Sequence, residues 1–328
     1  MVESHMKHFT IESNPISMPS DPADDAVRLL TINWKGKAIA GFNQSARRTY
    51  VYPVTTPAGV IVTNDRPTTD HPFHQSITVG NDYVFTYRTS EAGRFEDPGM
   101  CFYTNMPDMR GRGEGQIATW THNEVTELAE NQLEFIPRMQ WRGPEEGYSP
   151  KVRRVIAEEQ RTITVTAAVP GTATGHANII DVRSQLYPTS WDIRLGPSRH
   201  GYFTVRVADW LRAVDLRSGE PQGGTLIDSQ GRTNDQVCWQ HADWIDYYGT
   251  DDQGRTAGLA IFQFPSLGNV AWYAGSYGTV RVNPFRRGAT YVSRGDCVDV
   301  AIRVVAHDGT PQEAGIAGLY EAFEAQVR

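Results

Sequence analysis

From Val27 onward the chain is built of short β-branched and aromatic runs, among them "VRLLTINW", "TYVYPV", "DYVFTYR", "RTITVTAAV", "GYFTVRVAD", "AGLAIFQF" and "CVDVAIRVVAHDG". Turn residues separate nearly all of them, and no helical period intervenes. Runs of this kind send alternate side chains to opposite faces, so the rhythm predicts antiparallel sheets packed as one large, all-β sandwich. The tail alone breaks it: in "EAGIAGLYEAFEAQVR" the apolar Ile316, Leu319, Tyr320, Phe323 and Val327 recur at helical spacing. The division that follows is a flexible arm over 1–25, where Pro15, Pro19 and Pro22 stand among Ser and Asp, a single domain over 26–310, and a short amphipathic helix over 311–328, its stripe a packing face.

A length of 328 residues suits one large β domain, and eight tryptophans and fourteen tyrosines supply both a core and an aromatic cleft. A net charge of −7 offers no electrostatic footprint for nucleic acid. The pairs Arg47-Arg48, Arg153-Arg154 and Arg286-Arg287 are isolated and read as solvated surface charges. Cys101, Cys238 and Cys297 lie far apart and cannot all pair, which fits a reducing compartment. With no apolar leader and no run of 18 apolar residues, the expectation is a soluble, cytoplasmic protein that binds neither nucleic acid nor membrane. Homo-oligomerisation stays open.

The stretch "TTDHPFHQS" concentrates the chemistry: Asp70, then His71 and His74 three apart with Pro72 between them, then Gln75. In a straight strand that odd spacing puts the two imidazoles on opposite faces. Pro72 predicts a turn that brings them to one rim. Such a rim has three uses: general acid–base work, a divalent metal held by His71 and His74 with Asp70, or direct hydrogen bonding to a sugar. The bland reading, a turn capped by Asp70 with ordinarily bonded histidines, carries about equal weight, because a metal site needs further ligands that the local sequence does not identify. No cofactor is certain, and a divalent metal stays open.

Further candidates lie downstream. "CWQHADWIDYYG" offers His241 with Trp239, Trp244, Asp246 and Tyr247, flat apolar faces beside acceptors, a combination suited to a sugar ring. For Trp239 a core position fits slightly better than a binding one, whereas for His241 and Asp246 the two fit about equally. In "RLGPSRHGYFTVRVAD", Arg199 and His200 occupy a turn that feeds a strand, and either can reach a site at its end. His122 with Trp120 and Glu124, and the group Glu158, Glu159 and Arg161, are weaker, the latter reading as ion pairs between strands. The polar stretches 91–115 and 217–235 read as functional loops or variable surface excursions. No GxSxG, HExxH, Walker or dinucleotide motif is present.

The succession "RRTYVYPVTTPAGVIVTNDRPTTDHPFHQSITVG", an "EEQR" strand, "GYFTVRVA", "HADWIDYYG", "GLAIFQFPSLGN" and "YGTVRVNPF" resembles a bacterial domain-of-unknown-function family labelled methane oxygenase-like, of the DUF6807 type, over roughly residues 45–308. The resemblance implies a soluble β-sandwich associated with sugar breakdown, with a carbohydrate or glycoside as its small-molecule ligand. Two places depart from the family pattern: Phe264-Pro265 ahead of Asn269 in place of His-Pro, and Trp272-Tyr273 followed by Gly275 in place of Trp-His and Arg. By analogy with mutarotase-like and lyase-like sandwiches, the expected chemistry is proton transfer at a sugar carbon or glycosidic oxygen. His71 or His74 serves as acid or base, Asp70 orients an imidazole, and His241 or His200 stands opposite. Arg199, Gln75, Trp239, Trp244, Asp246, Tyr247 and Asn269 are the expected binding residues. The reaction is expected to be of lyase, hydrolase or epimerase type: elimination from an oxidised glycoside fits that scheme, hydrolysis by paired carboxylates fits it less well because no such pair is identifiable, and a non-catalytic carbohydrate-binding or accessory subunit is the alternative.

Overall fold

The computed structural model describes residues 6–15, 28–45, 47–65, 71, 73–104, 111–120, 123–147, 152–171 and 176–328. The period-two pattern builds it: along the strand Val152–Pro170, Glu159, Arg161, Ile163, Val165 and Ala167 are buried while the residues on either side of each are half-exposed. Among the described residues the strands form three sheets, of eight, ten and six strands.

The eight-stranded sheet runs Phe9–Pro15, Arg28–Trp34, Lys37–Gln44, Tyr50–Val54, Ile77–Val79, Phe203–Arg206, Thr279–Val282, Tyr273–Gly275. The ten-stranded sheet is centred on the long strands Val152–Pro170, His176–Pro188 and Val298–Asp308, flanked on one side by Thr256–Gln263, Trp244–Thr250 and Thr225–Asp228. Pairing is antiparallel throughout these two sheets. Their inner faces share one apolar cluster, with Phe42, Val51, Ile77, Val205 and Val280 from one sheet against Phe135, Ile163, Val182, Leu259 and Ile302 from the other. This is the predicted large all-β sandwich. Each fully buried side chain of this size contributes roughly 1.5–3 kcal/mol of transfer free energy.

Two readings need revision. Residues 9–15, inside the expected arm, form an edge strand paired with Arg28–Trp34, and Phe9 is buried in the core. The alternation of Phe9 and Ile11 outweighs the prolines, which begin at that strand's last residue. The polar stretches read as loops also contain sheet: Gly93–Glu96 completes a hairpin with Val84–Ser90, and Thr225–Asp228 extends the ten-stranded sheet.

The C-terminal segment is helical as expected, in two pieces. Thr310 and Glu313 form a capping box around Pro311, Gly315 turns left-handed at φ 69°, and the helix Ile316–Val327 follows. Ile316, Leu319 and Phe323 pack against Ile179, Phe262 and Val305 on the outer face of the ten-stranded sheet. Among the described residues no helix is long and apolar enough to cross a membrane.

Candidate functional site

Four neighbouring strands of the eight-stranded sheet carry polar residues on one face. Register aligns Tyr273 with Arg281, Arg281 with Thr204 and Thr204 with Thr78, and on the next row Arg206 with Thr279. Because strand side chains alternate, Phe203, Val205, Val280 and Val282 enter the core while Thr204, Arg206, Thr279 and Arg281 emerge together on the other face. The segments around residues 71–76 and 101–104 meet that face.

The first segment turns as its proline predicts. The His74 N–H donates to the His71 carbonyl at 2.9 Å, and the two imidazoles stack with centroids 4.6 Å apart and planes 12° from parallel. Ser76, at φ 36°, then redirects the chain into the strand Ile77–Val79. His74 is buried, with Nε2 2.7 Å from the Tyr103 hydroxyl and Nδ1 3.2 Å from Thr279 Oγ1. The Tyr103 ring stacks on His200 at 4.7 Å. His200 Nδ1 in turn bonds Asp82 Oδ2, a carboxylate that also accepts from Ser198 and Arg112. His200 keeps 19% of its side chain exposed against 2% for Asp82, so the imidazole bridges a buried carboxylate and the solvent.

The electrostatics separate these groups. Burial, aided by the positive field of His71, Arg281, Arg206 and Arg48, pushes the His74 pKa well down, so His74 is neutral at pH 7. Burial raises Tyr103 to about 12 against the pull of Arg281 and Arg48, keeping it a phenol. For Asp82, burial is the largest influence and acts upward, but the hydrogen bonds and charge of His200, with Ser198 and Arg112, outweigh it and hold the carboxyl below its usual value. Arg48, read from sequence as a surface charge, lies beneath this cluster and donates to the Tyr103 carbonyl at 2.8 Å; burial lowers it to about 10.

A ladder of cations and rings continues the rim. Tyr277 stacks at 6.0 Å from His71, and its hydroxyl accepts from Arg281 at 3.4 Å. Arg281 lies 3.5 Å over the ring of Tyr273, Tyr273 meets the Trp239 ring at 5.0 Å, and Arg286 lies 3.5 Å over Trp239. Trp239 holds a left-handed backbone, φ 62°, rare for a bulky side chain, and its N–H donates to the Trp272 carbonyl. Arg286 also lines a cavity of about 200 Å³ with His241, Asn269 and Asn283, and the Asn283 amide donates to the carbonyls of Ser198 and His200. A larger cavity of about 510 Å³ lies away from this rim, lined by Thr162, Asp181, Arg183 and Asp299.

Of the expected residues, the structure thus gathers His71, His74 and His200 in one cluster, with Trp239 joined to it through Tyr273 and Arg281. His241 and Asn269 are exposed beside the neighbouring cavity rather than among the stacked rings. Asp70 and His122 lie outside the described residues. Gln75 is buried, and Arg199 is exposed next to His200. Trp244, Asp246 and Tyr247 do not reach the rim. In the ten-stranded sheet Trp244 and Asp246 face the helix side, where Asp246 is fully buried and bonded to His307 at 2.9 Å, while Tyr247 faces the core and donates to the Gly275 carbonyl. Glu159 and Arg161, expected to pair between strands, pair along one strand at 2.8 Å deep in the core, with Trp141 and Ser184 donating to the same carboxylate.

Asp82 makes with His200 the kind of carboxylate–imidazole contact that was expected of Asp70. Asp82, Tyr103, Tyr277 and Arg281 escaped the sequence reading. One signal was present: Thr279 and Arg281 alternate with Val280 and Val282, which marks a strand with one polar and one buried face. As placed, His74 has a partner on each ring nitrogen and stacks face to face with His71, so the two do not converge on one cation. Among the described residues no three His, Cys, Asp or Glu side chains gather in a metal-binding group. Of the two departures from the family pattern, Tyr273 stands on the rim, whereas Phe264 packs on Phe323 of the helix.

The family model described as "Family of unknown function (DUF6807)" matches residues 30–321. No curated protein matches the chain. Among solved structures, a candidate aldose 1-epimerase from Klebsiella pneumoniae subsp. pneumoniae MGH 78578 aligns with 98% of this chain and 88% of its own, at 11% identity and a TM-score of 0.41. An alpha-galactosidase from Lactobacillus brevis aligns with 91% of this chain and 39% of its own, at 10% identity and a TM-score of 0.34.

Proposed function

The chain belongs to the DUF6807 family, whose description carries no activity, and from the rim itself we propose a carbohydrate-active enzyme that moves a proton at a sugar carbon or glycosidic oxygen. The observation that carries this reading is the Asp82–His200 pair. A buried carboxylate on Nδ1 fixes the ring and its tautomer, leaving Nε2 as the atom that exchanges a proton with a ligand. Arg281 and the Tyr277 hydroxyl, beside His71, supply donors for a carbonyl or hydroxyl, and the half-exposed Tyr273 and Trp239 rings, each carrying a guanidinium on one face, add aromatic surface to the rim.

Elimination from an oxidised glycoside uses every part of this arrangement. His200 Nε2 removes the proton on the carbon next to the ring carbonyl, and the electron pair shifts to form an enolate stabilised by the Arg281 charge. Collapse of the enolate expels the glycosidic oxygen, which receives the proton that His200 has just taken up, so the products are an unsaturated sugar and an alcohol and His200 returns to its starting state. Positioned acid–base catalysis of this kind contributes typically about 10²–10⁴-fold.

The test is turnover of a panel of plain and carbonyl-bearing glycosides, with free aldoses for epimerisation, by the wild type and His200→Asn. We expect turnover of at least one substrate and a loss of about 10²–10⁴-fold in kcat in the variant. Saturable sugar binding without turnover of any member would favour the binding-subunit reading, for which the aromatic ladder is the supporting feature. Unchanged kcat in His200→Asn would sink the assignment of the base.

A further inference from the structure

Arg286 and Arg287, read from sequence as surface charges, stand in a different setting. With His241, Gly268, Asn269 and Asn283 they line the cavity of about 200 Å³ beside His200, and no Asp or Glu is part of its lining. In a chain with 38 acidic against 31 basic residues, several other arginines on the surface and in the interior find carboxylates, among them Arg183 with Asp299, Arg232 with Asp228 and Arg303 with Asp181. Among the described residues neither Arg286 nor Arg287 has such a partner. Two cations held beside a cavity without counter-charge repel each other until an anion arrives.

The cavity's wall is organised for that arrival. Arg286 is laid flat on Trp239 at 3.5 Å, which restrains the guanidinium while leaving its in-plane N–H donors for a ligand. Two successive left-handed residues, Gly268 at φ 72° and Asn269 at φ 49°, turn the chain after Pro265–Leu267 so that Asn269 joins the lining. Asn283 is buried, and its amide holds the backbone of Ser198 and His200, so the lining is one residue removed from the Asp82–His200 pair.

We propose that this cavity binds an anionic substituent, a carboxylate or a phosphate, of the sugar that reaches His200, with Arg286 and Arg287 supplying the charge and His241 and Asn269 adding polar contacts. A volume of about 200 Å³ suits such a substituent better than a whole oligosaccharide. The identity of the ligand as a sugar rests on the reading of the rim given above; the anion site rests on the arginines.

Calorimetric titration of the full chain with D-glucuronate, D-glucose 6-phosphate and D-glucose at low ionic strength tests it. At least one charged sugar is expected to bind tenfold or more tightly than glucose, and the order of the two charged sugars tells carboxylate from phosphate. Arg287→Gln, at an exposed position, and Arg286→Gln should each weaken the charged sugar about tenfold, with glucose unaffected. Equal affinity for charged and neutral sugars, no measurable binding of either charged sugar, or charge-dependent binding indifferent to both substitutions overturns the proposal. Because binding is read without turnover, a charged sugar bound through Arg287 but left intact defeats only the catalytic reading. Turnover of neutral glycosides that depends on His200 and ignores charge defeats only this one.

Discussion

His200 and His74 are both histidines beside Tyr103, yet their partners set them to different work. His74 has a hydroxyl on each nitrogen and a pKa forced down by burial, so it is a fixed, neutral part of the wall. His200 has a carboxylate on one nitrogen and partial exposure, the arrangement of an acid–base group. On the proposed reading Asp82 is a positioning residue, and Asp82→Asn should lower kcat by about 10²–10⁴-fold with little change in KM, because the amide favours the wrong tautomer. A nitrogen NMR signature of the His200 ring changing tautomer would accompany that loss, whereas a merely structural role for Asp82 would leave the tautomer alone. Only part of this was legible in "TTDHPFHQS". The proline and the three-residue spacing foretold that His71 and His74 would meet, since both signals are local. That His74 would be buried under Tyr103 was not, because Tyr103 arrives from 29 residues away.

At the scale of elements, alternation explains both what the sequence reading placed well and what it misplaced. In the strand Trp244–Thr250, faces alternate between the core and the helix, and neither face is the rim, so the aromatic and acidic residues there serve packing and a buried ion pair. The strand Val152–Pro170 shows the same rule with polar residues: Glu159 and Arg161 are two apart and therefore share an inward face. Glu159 is the carboxylate bonded to the fully buried Arg161 guanidinium, so Glu159→Gln, which leaves that side chain without its ion-pair partner, should cost about 3–5 kcal/mol, read as the shift in a denaturant unfolding curve. The C-terminal helix was legible because its 3.6-residue stripe stands out against period two. Phe323 is 2% exposed between Phe262 and Phe264, and Phe323→Ala should cost about 3–5 kcal/mol in the same measurement.

Across the whole molecule, two buried histidines on opposite faces of the sandwich give stability a pH optimum. His74 has a lowered pKa, so its contribution is full above the unfolded value of about 6.5 and is lost as pH falls through that point towards the folded value. For His307, burial lowers the pKa but the Asp246 charge and hydrogen bond outweigh it, and the net shift is upward; its contribution is full below about 6.5 and is lost as pH rises through the folded value. Thermal melts from pH 5 to 9 should therefore fall away on both sides of neutrality. His74→Asn should flatten the limb below 6.5, and His307→Asn the limb above it. A profile that keeps both limbs in both variants would refute the assignment. The sequence by itself determined the sandwich, the terminal helix and the turn at His71 and His74, because alternation, helical periodicity and a proline act over a few residues. Only the tertiary structure decided which polar residues form the rim, since strand order sets Phe203–Arg206 between Ile77–Val79 and Thr279–Val282 and so brings Asp82, Tyr103, His200 and Arg281 together from distant parts of the chain. Hydrogen-bond register between strands far apart in sequence is a property of the assembled sheet, and no local pattern encodes it.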